Sequence, residues 1–415
     1  MFNKIENRYS SRQLKVVCLG LLFVSICLSS CFNKGERQGL YPVLDFNENY
    51  PEREFSLDDA GWDYIPLETT PEALADRDFN LRYVSDSRIV GINRSRGDVL
   101  IFGRDGKVIS SFNNRGSSGI DYQSLRLFVY DEVNKEIFIA DALSLNRCVV
   151  YSEDGQFLRQ FYFPEGSWIG DLYNFNDTTL LAYNGFRPAS SDSDDEALKT
   201  NQKTPYVFIS KKDGSFISRV DLSFPERLSD AYVEFPLENT MRQIRIGYSH
   251  RREKYDDEFV IADFSSDTIY LLTQDKNLKP LFVRKPSVFS RTQFHTIVLP
   301  HFKTDKHLFI YALTYNMPRV VELTERGENT SEAMEMPEFV LDLQTGEFFK
   351  PKGKFPAGRR YLEAPANTSV ELIGADWLVE RLKAGRLDGK LKQVAETLKE
   401  EDNPVVQIYD NVKID

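Results

Sequence analysis

The chain has 415 residues, of which 52 are basic and 63 acidic, for a formal net charge of −11. No cluster of Lys and Arg stands out against that balance, which argues against a nucleic-acid partner, because phosphate backbones are held by concentrated positive charge. Beyond the N-terminus no apolar stretch approaches the length of a membrane-spanning helix.

Residues 1–30 read as an export signal. Lys4, Arg8, Arg12 and Lys15 give a basic start, and Val16 to Leu28 is an uncharged, mostly apolar run. That run is shorter than the roughly 20 residues a spanning helix needs. It closes in Leu28-Ser29-Ser30-Cys31, which resembles the bacterial lipobox. The resemblance implies cleavage before Cys31 and acylation of its thiol, so the mature protein would be held on a lipid bilayer without spanning it. Residues 32–36 lack the acidic cluster that resembles a surface-export signal in Bacteroidota. The expected address is therefore the cell envelope, on the outer membrane facing the periplasm. Residues 31–51 show no strand alternation and read as a membrane tether.

Cysteine usage fits this address. Cys18 and Cys27 leave with the signal and Cys31 is the anchor, so Cys148 alone remains and no intramolecular disulfide can form. Cys148 falls in an apolar run and reads as a small buried hydrophobe.

From residue 52 onward a strand–strand–turn–strand phrase recurs. The first copy is Arg88 to Asn93, Asp98 to Phe102, Asp105-Gly106 and Lys107 to Phe112. The second is Glu136 to Asp141, Cys148 to Tyr151, Asp154-Gly155 and Gln156 to Phe161. Tyr206 to Ser210 precedes Asp213-Gly214. Glu258 to Asp263, Thr268 to Leu272 and Asp275-Lys276 make a further copy, and Phe339 to Leu343 precedes Thr345-Gly346. Asp-Gly pairs suit hairpin turns that need positive φ. In Glu136 to Asp141, Ile137 and Ile139 point one way and Phe138 and Ala140 the other. All four are apolar, so both faces of the strand are buried. Such strands belong to blades stacked on neighbours.

Five terminal hairpins count five blades. The two chain ends, Trp62 to Glu68 and Val405 to Tyr409, supply a sixth, which closes the ring and removes open edges. The expected fold is all-β, a six-bladed β-propeller over residues 52–415. Two insertions interrupt it: a Ser/Asp-rich loop at Pro188 to Thr204, and a short helical insertion at about 375–401, before the C-terminal closing strand. Its apolar stripe includes Trp377, Leu378, Leu382 and Leu391, and Gly385 and Gly389 break it into two pieces.

Phe55 to Asp58, Tyr64 to Thr70, Arg115-Gly116 through Asp121-Tyr122, and Glu401 to Val405 resemble the six-bladed β-propeller lipoproteins of Bacteroidota, relatives of the NHL-repeat propellers. The resemblance covers roughly residues 55–415. Where that family has a loop close to Gly-Pro-Gly-Glu-Tyr, this chain has Ser118-Gly119-Ile120-Asp121-Tyr122. The resemblance implies a fold and an address, not a reaction.

Candidate chemistry is sparse. His295, His301 and His307 recur every six residues, which separates them by about 20 Å along one strand. A hairpin at Lys303 to Lys306 could bring two of them together, but no third ligand is evident, so a surface hairpin is expected and no metal site. Asp192, Asp194, Asp195 and Glu196 do not fit a calcium loop. Asn93, Asp141 and Asp263 hold equivalent places after a strand of successive blades. They are the candidate ligand-binding residues at the channel mouth, beside a structural role in the turn. No nucleophile elbow, zinc helix or phosphate loop is present, and no cofactor is implied. The reading is a non-enzymatic binding or scaffold module for a peptide, glycan or envelope protein. The alternative is a metal-dependent hydrolase or lactonase at the channel mouth.

Overall fold

Each copy of the repeat folds as one antiparallel sheet, and six sheets stand around a common axis. The structure, a computed structural model, describes residues 41–410 apart from 56–60, 142–145, 186–195, 230–231, 246–250, 291, 293 and 354–361. The signal and Cys31 lie outside the described residues, as do Asp192, Asp194 and Asp195.

Three short strands come first: β1 (Val43–Asp45), β2 (Glu52–Phe55) and β3 (Trp62–Pro66). Blade one is β4 (Phe79–Val84), β5 (Arg88–Asn93), β6 (Asp98–Gly103) and β7 (Val108–Phe112). Blade two is β8 (Leu127–Asp131), β9 (Glu136–Asp141), β10 (Arg147–Ser152) and β11 (Phe157–Tyr162). Blade three is β12 (Ile169–Asn176), β13 (Thr179–Asn184), β14 (Tyr206–Ser210) and β15 (Phe216–Arg219), with helix α1 (Glu196–Lys203) between β13 and β14. That helix occupies the end of the stretch expected to be a loop. A hairpin, β16 (Tyr232–Leu237) and β17 (Thr240–Arg245), leads to blade four. Blade four is β18 (Arg251–Tyr255), β19 (Glu258–Ala262), β20 (Thr268–Leu272) and β21 (Leu278–Lys285). Blade five starts with β22 (Phe294–Lys303) and β23 (His307–Asn316). Helix α2 (Met317–Glu325) and β24 (Met334–Glu335) intervene before β25 (Glu338–Asp342) and β26 (Phe348–Gly353). Blade six holds β27 (Ser369–Ile373), β28 (Val405–Tyr409) and β3, with α3 (Ala375–Lys383) and α4 (Gly389–Ala395) between β27 and β28.

In blades one to three the second and third strands are buried on both faces: all six residues of β13 and five of six in β10 are buried. Six apolar seams result. Ile137 and Ile139 meet Val90, Ile92 and Ile101 of blade one. Phe138, Ala140 and Cys148 meet Leu180, Ala182 and Val207 of blade three. Leu181 and Phe208 meet Phe259 and Ile261 of blade four. Val260 and Phe282 meet Leu308, Ile310 and Phe348 of blade five. Trp62 meets Phe302, Phe309 and Val340, and Val406 and Ile408 meet Ile89, Leu100 and Phe102. Each fully buried aliphatic or aromatic side chain contributes about 1.5–3 kcal/mol, and the seams share that gain around the ring.

The hairpin turns also lock neighbours. Gly155 has φ of 80° and lies so close to Phe112, at the end of β7, that a Cβ would meet its ring at 2.5 Å. Gly106 sits in the same way over Pro66, at the end of β3. Only glycine offers both this φ and this approach.

The ring closes through both chain ends, since β28 pairs β3 from Val405↔Pro66 to Tyr409↔Trp62. The pairing of β27 with β28 leaves blade six with three strands. The place of a first strand is taken by residues 362–364, displaced into the channel. Glu363 bridges Tyr83 of blade one and Ala364 bridges Tyr255 of blade four, both in parallel. Blades one and four stand opposite each other, so this segment crosses the channel. Asn367 N then bonds Lys303 O of blade five at 3.1 Å. Helices α3 and α4 pack Leu378 and Ala395 onto Val405 and Tyr64 of blade six.

Two expectations are corrected. The tether at residues 31–51 is not free along its whole length, because Val43–Asp45 add to blade four as β1, parallel to β21. β2 adds to blade five in the same way, parallel to β26. The N-terminal segment thus runs along the outer edges of blades four, five and six. The His301–His307 hairpin exists, but it is not on the surface. His301 is 1 % exposed and stacks on Tyr311 at 3.8 Å, and His307 is buried against Phe349. A β-bulge between Pro300 and Phe302 turns His301 inward.

Candidate functional site

Asn93 and Asp141 end the second strands of blades one and two, and Asp263 follows that of blade four. Blade three has an equivalent that the sequence reading missed, Asn184, at the end of β13. Asn93 is 0 % exposed. Its amide donates to Leu74 O and to Asp98 Oδ2, both at 2.8 Å, and its Oδ1 accepts from Asp76 N at 3.0 Å. Asn184 does similar work, accepting from Trp168 N at 3.0 Å and donating to Pro205 O. Both pin the chain that enters the first strand of their blade. The side chain of Asp141 lies outside the described residues. Asp263 is 4 % exposed, and its carboxylate accepts from Tyr206 Oη at 2.7 Å and from Ser265 N at 2.9 Å.

Asp263 differs from Asn93 in what stands beside it. It lines a small cavity in the seam between blades four and five, together with Ser266, Arg284, Val288, His295 and Thr296. That cavity adjoins a cleft of about 490 Å³. The β16–β17 hairpin forms one wall through Tyr232, Val233, Glu234 and Gln243. Glu226 to Ser229 and Val288 to Ser290 form the others, and Phe264 and His295 belong to both spaces. The hairpin stands there because Val233 and Phe235 alternate inward and pack on Ile297, Leu299 and Met317. Tyr232 and Phe289 are left 48 % and 41 % exposed at the rim.

The electrostatics of the seam are set by Arg284, which is only 5 % exposed. Its Nε donates to Pro286 O at 3.1 Å and its Nη1 to Thr296 O, and the guanidinium lies over the Phe46 ring at 5.2 Å. Burial lowers its pKa to about 10, against the opposing pull of Asp267. Asp267 itself accepts from Val288 N at 2.6 Å. His295 is held neutral, since burial, with Arg284 nearby, pushes its pKa down to about 4. The sequence singled out His295 only as part of a spacing pattern. Its true neighbour, Arg284, reaches it through the crossover from β21 to β22.

Among the described residues no group of three His, Cys, Asp or Glu side chains is placed to hold a metal. No helix among them is long and apolar enough to cross a membrane. The arrangement offers an apolar, aromatic-rimmed cleft with polar groups at its floor, which suits binding.

Residues 41–410 match the model of a domain of unknown function, DUF4934. The chain belongs to the DUF4934 family. Among solved structures it is similar to a presumptive exported protein of Bacteroides fragilis. The two are 14 % identical, with 90 % of this chain and 99 % of that chain covered and a TM-score of 0.54. It is also similar to a DUF4221 family member from Bacteroides vulgatus, at 10 % identity, 85 % and 96 % coverage and a TM-score of 0.48. At 14 % identity the likeness to the Bacteroides fragilis protein speaks to the fold alone. No curated protein matches the chain.

Proposed function

We propose that this DUF4934 protein is a lipid-anchored propeller of the cell envelope that acts as a non-enzymatic binding module. The ring is the rigid support, and the ligand enters the cleft between the β16–β17 hairpin and the seam of blades four and five. The observation that carries the reading is the cleft itself, about 490 Å³ and walled by an insertion that the ring does not need for closure. Exposed Tyr232 and Phe289 at its rim supply flat amphipathic surface of the kind that anchors peptides and sugars. The export signal ending in Cys31 supports the lipid anchor, on the outer membrane facing the periplasm. The hydrolase alternative has less in its favour, because residues 362–364 cross the channel whose mouth it would use.

The test is a screen of the purified protein on peptide and glycan arrays, beside a Tyr232→Ala/Phe289→Ala variant. Binding by the wild type that the variant loses supports the reading. Silence on both arrays, together with divalent-metal-dependent turnover of lactones or esters, overturns it.

A further inference from the structure

Arg284 carries its charge into the seam without an anionic partner. Among the described residues it forms no ion pair. Asp267, whose charge acts on it, is engaged with a backbone amide, and Asp263 of the same cavity accepts from Tyr206 Oη and Ser265 N. Two of its donors are taken by backbone carbonyls, while Nη2 makes no hydrogen bond among the described residues. His295 lines the same cavity, and among the described residues its ring nitrogens make no hydrogen bond either. Burying a cation without a counter-charge is costly, and proteins normally pair such groups. Among the described residues, other buried cations are paired or donate through both terminal amino groups. Lys211 is paired with Asp131, Lys254 with Glu363, and both amino groups of Arg147 donate to Gly119 O and Asp121 O.

The cleft wall adds a second observation. Tyr232, Val233 and Glu234 are consecutive in β16, yet all three line the cleft. Alternate side chains of a strand point to opposite faces, so consecutive lining residues mean that the strand turns its edge to the space. The β16–β17 sheet has two strands, and the β16 edge away from β17 pairs with no described strand. An extended peptide can add to such an edge by main-chain hydrogen bonds.

Resting on the binding-module reading, we propose that the cleft takes the C-terminal end of an extended peptide, laid along β16, with its terminal carboxylate held by Arg284 and His295. The carboxylate supplies the missing counter-charge and accepts from Nη2 of Arg284, and neutral His295 donates one N–H to it. Tyr232 and Phe289 pack on the preceding residues.

The experiment uses the purified full-length protein and two pools of fluorescein-labelled random hexapeptides, one with free C-termini and one amidated, read by fluorescence polarisation. The free-acid pool is expected to bind at least about tenfold more tightly, the scale of one hydrogen-bonded charge pair. His295→Phe leaves the carbonyl bonds of Arg284 in place and should remove part of that preference. Arg284→Met should remove it all and Arg284→Lys should retain some, with thermal melting confirming that each variant folds. Equal binding of both pools that is lost in Tyr232→Ala overturns the carboxylate site and leaves the cleft reading standing. Binding of acidic oligosaccharides in place of either pool, dependent on Arg284, overturns the peptide assignment. No binding of peptide or sugar overturns both readings.

Discussion

Lys211 and Asp131 form an ion pair between blades three and two, with side chains only 4 % and 1 % exposed. Asp131 also accepts from Asn134, and the carbonyl of Lys211 accepts from Arg159. The Lys211 pKa is lowered because burial outweighs the pull of Asp131. Removing one partner of such a pair strands the other charge. Asp131→Ala is therefore expected to destabilise the protein by about 3–5 kcal/mol. The double variant Asp131→Leu/Lys211→Met should recover most of that loss. Urea denaturation of the three proteins decides it, and a double variant no more stable than Asp131→Ala would contradict the pairing.

Asn403 fastens the last strand to the entry of the first blade. Its amide donates to Glu68 O at 2.8 Å and Ala73 O at 2.7 Å, and its Oδ1 accepts from Ala75 N at 2.8 Å. The side chain is 1 % exposed. Asn403→Ala leaves those backbone groups unpaired and should cost about 1–3 kcal/mol. Asn403→Asp keeps the acceptor and loses the donors, so it should also destabilise. Equilibrium unfolding midpoints that match the wild type in both would refute the role.

Two positive-φ glycines separate backbone strain from crowding. Gly327 has φ of 69° with nothing within 4 Å of an added Cβ, whereas a Cβ at Gly155 meets the Phe112 ring. Gly327→Ala should cost about 1 kcal/mol from φ alone. Gly155→Ala should cost clearly more, because the seam of blades one and two must open. Thermal melting compares them, and equal shifts would mean that the turn does not lock its neighbour.

Cys148 is fully buried and burial pushes its thiol pKa well up. Thiolate, the reactive form, is then absent at neutral pH. In a variant whose other three cysteines are serine, a maleimide should label Cys148 only as fast as the protein unfolds. Rapid labelling in native buffer would show the seam of blades two and three to be open.

Cys31→Ala tests the anchor. The variant is expected in the soluble envelope fraction or as uncleaved precursor, while the wild type partitions into detergent. Identical membrane fractionation of both would remove the lipid attachment.

Much of the ring was legible in the sequence because its cause is local. Two-faced apolar strands such as Ile137 to Ala140 can exist only between two other blades, and turns such as Asp154-Gly155 mark their own ends. The closing partnership of Trp62 to Pro66 with Val405 to Tyr409 followed from the need to remove edges. Other features depend on distant partners. Val43–Asp45 is too short to show a period, and its parallel partner lies far along the chain. The β16–β17 hairpin turns at Glu238, with φ of 52°, where no glycine marks a turn. Asn184 is not legible because no turn pair marks the end of its strand, Thr179 to Asn184. Arg284 and His295 meet only because a crossover carries the chain from the rim of one blade to the axis of the next.

The path of the N-terminal segment has a mechanical meaning. A pull applied upstream of Val43 loads three residues of β1 on the rim of blade four before it reaches the closing strand β3. β1 acts as a fuse: it can peel away while the β3–β28 clasp still holds the ring. Phe46, the residue that follows β1, lies over Arg284, so peeling β1 from the rim of blade four would next draw on the ring that covers this guanidinium.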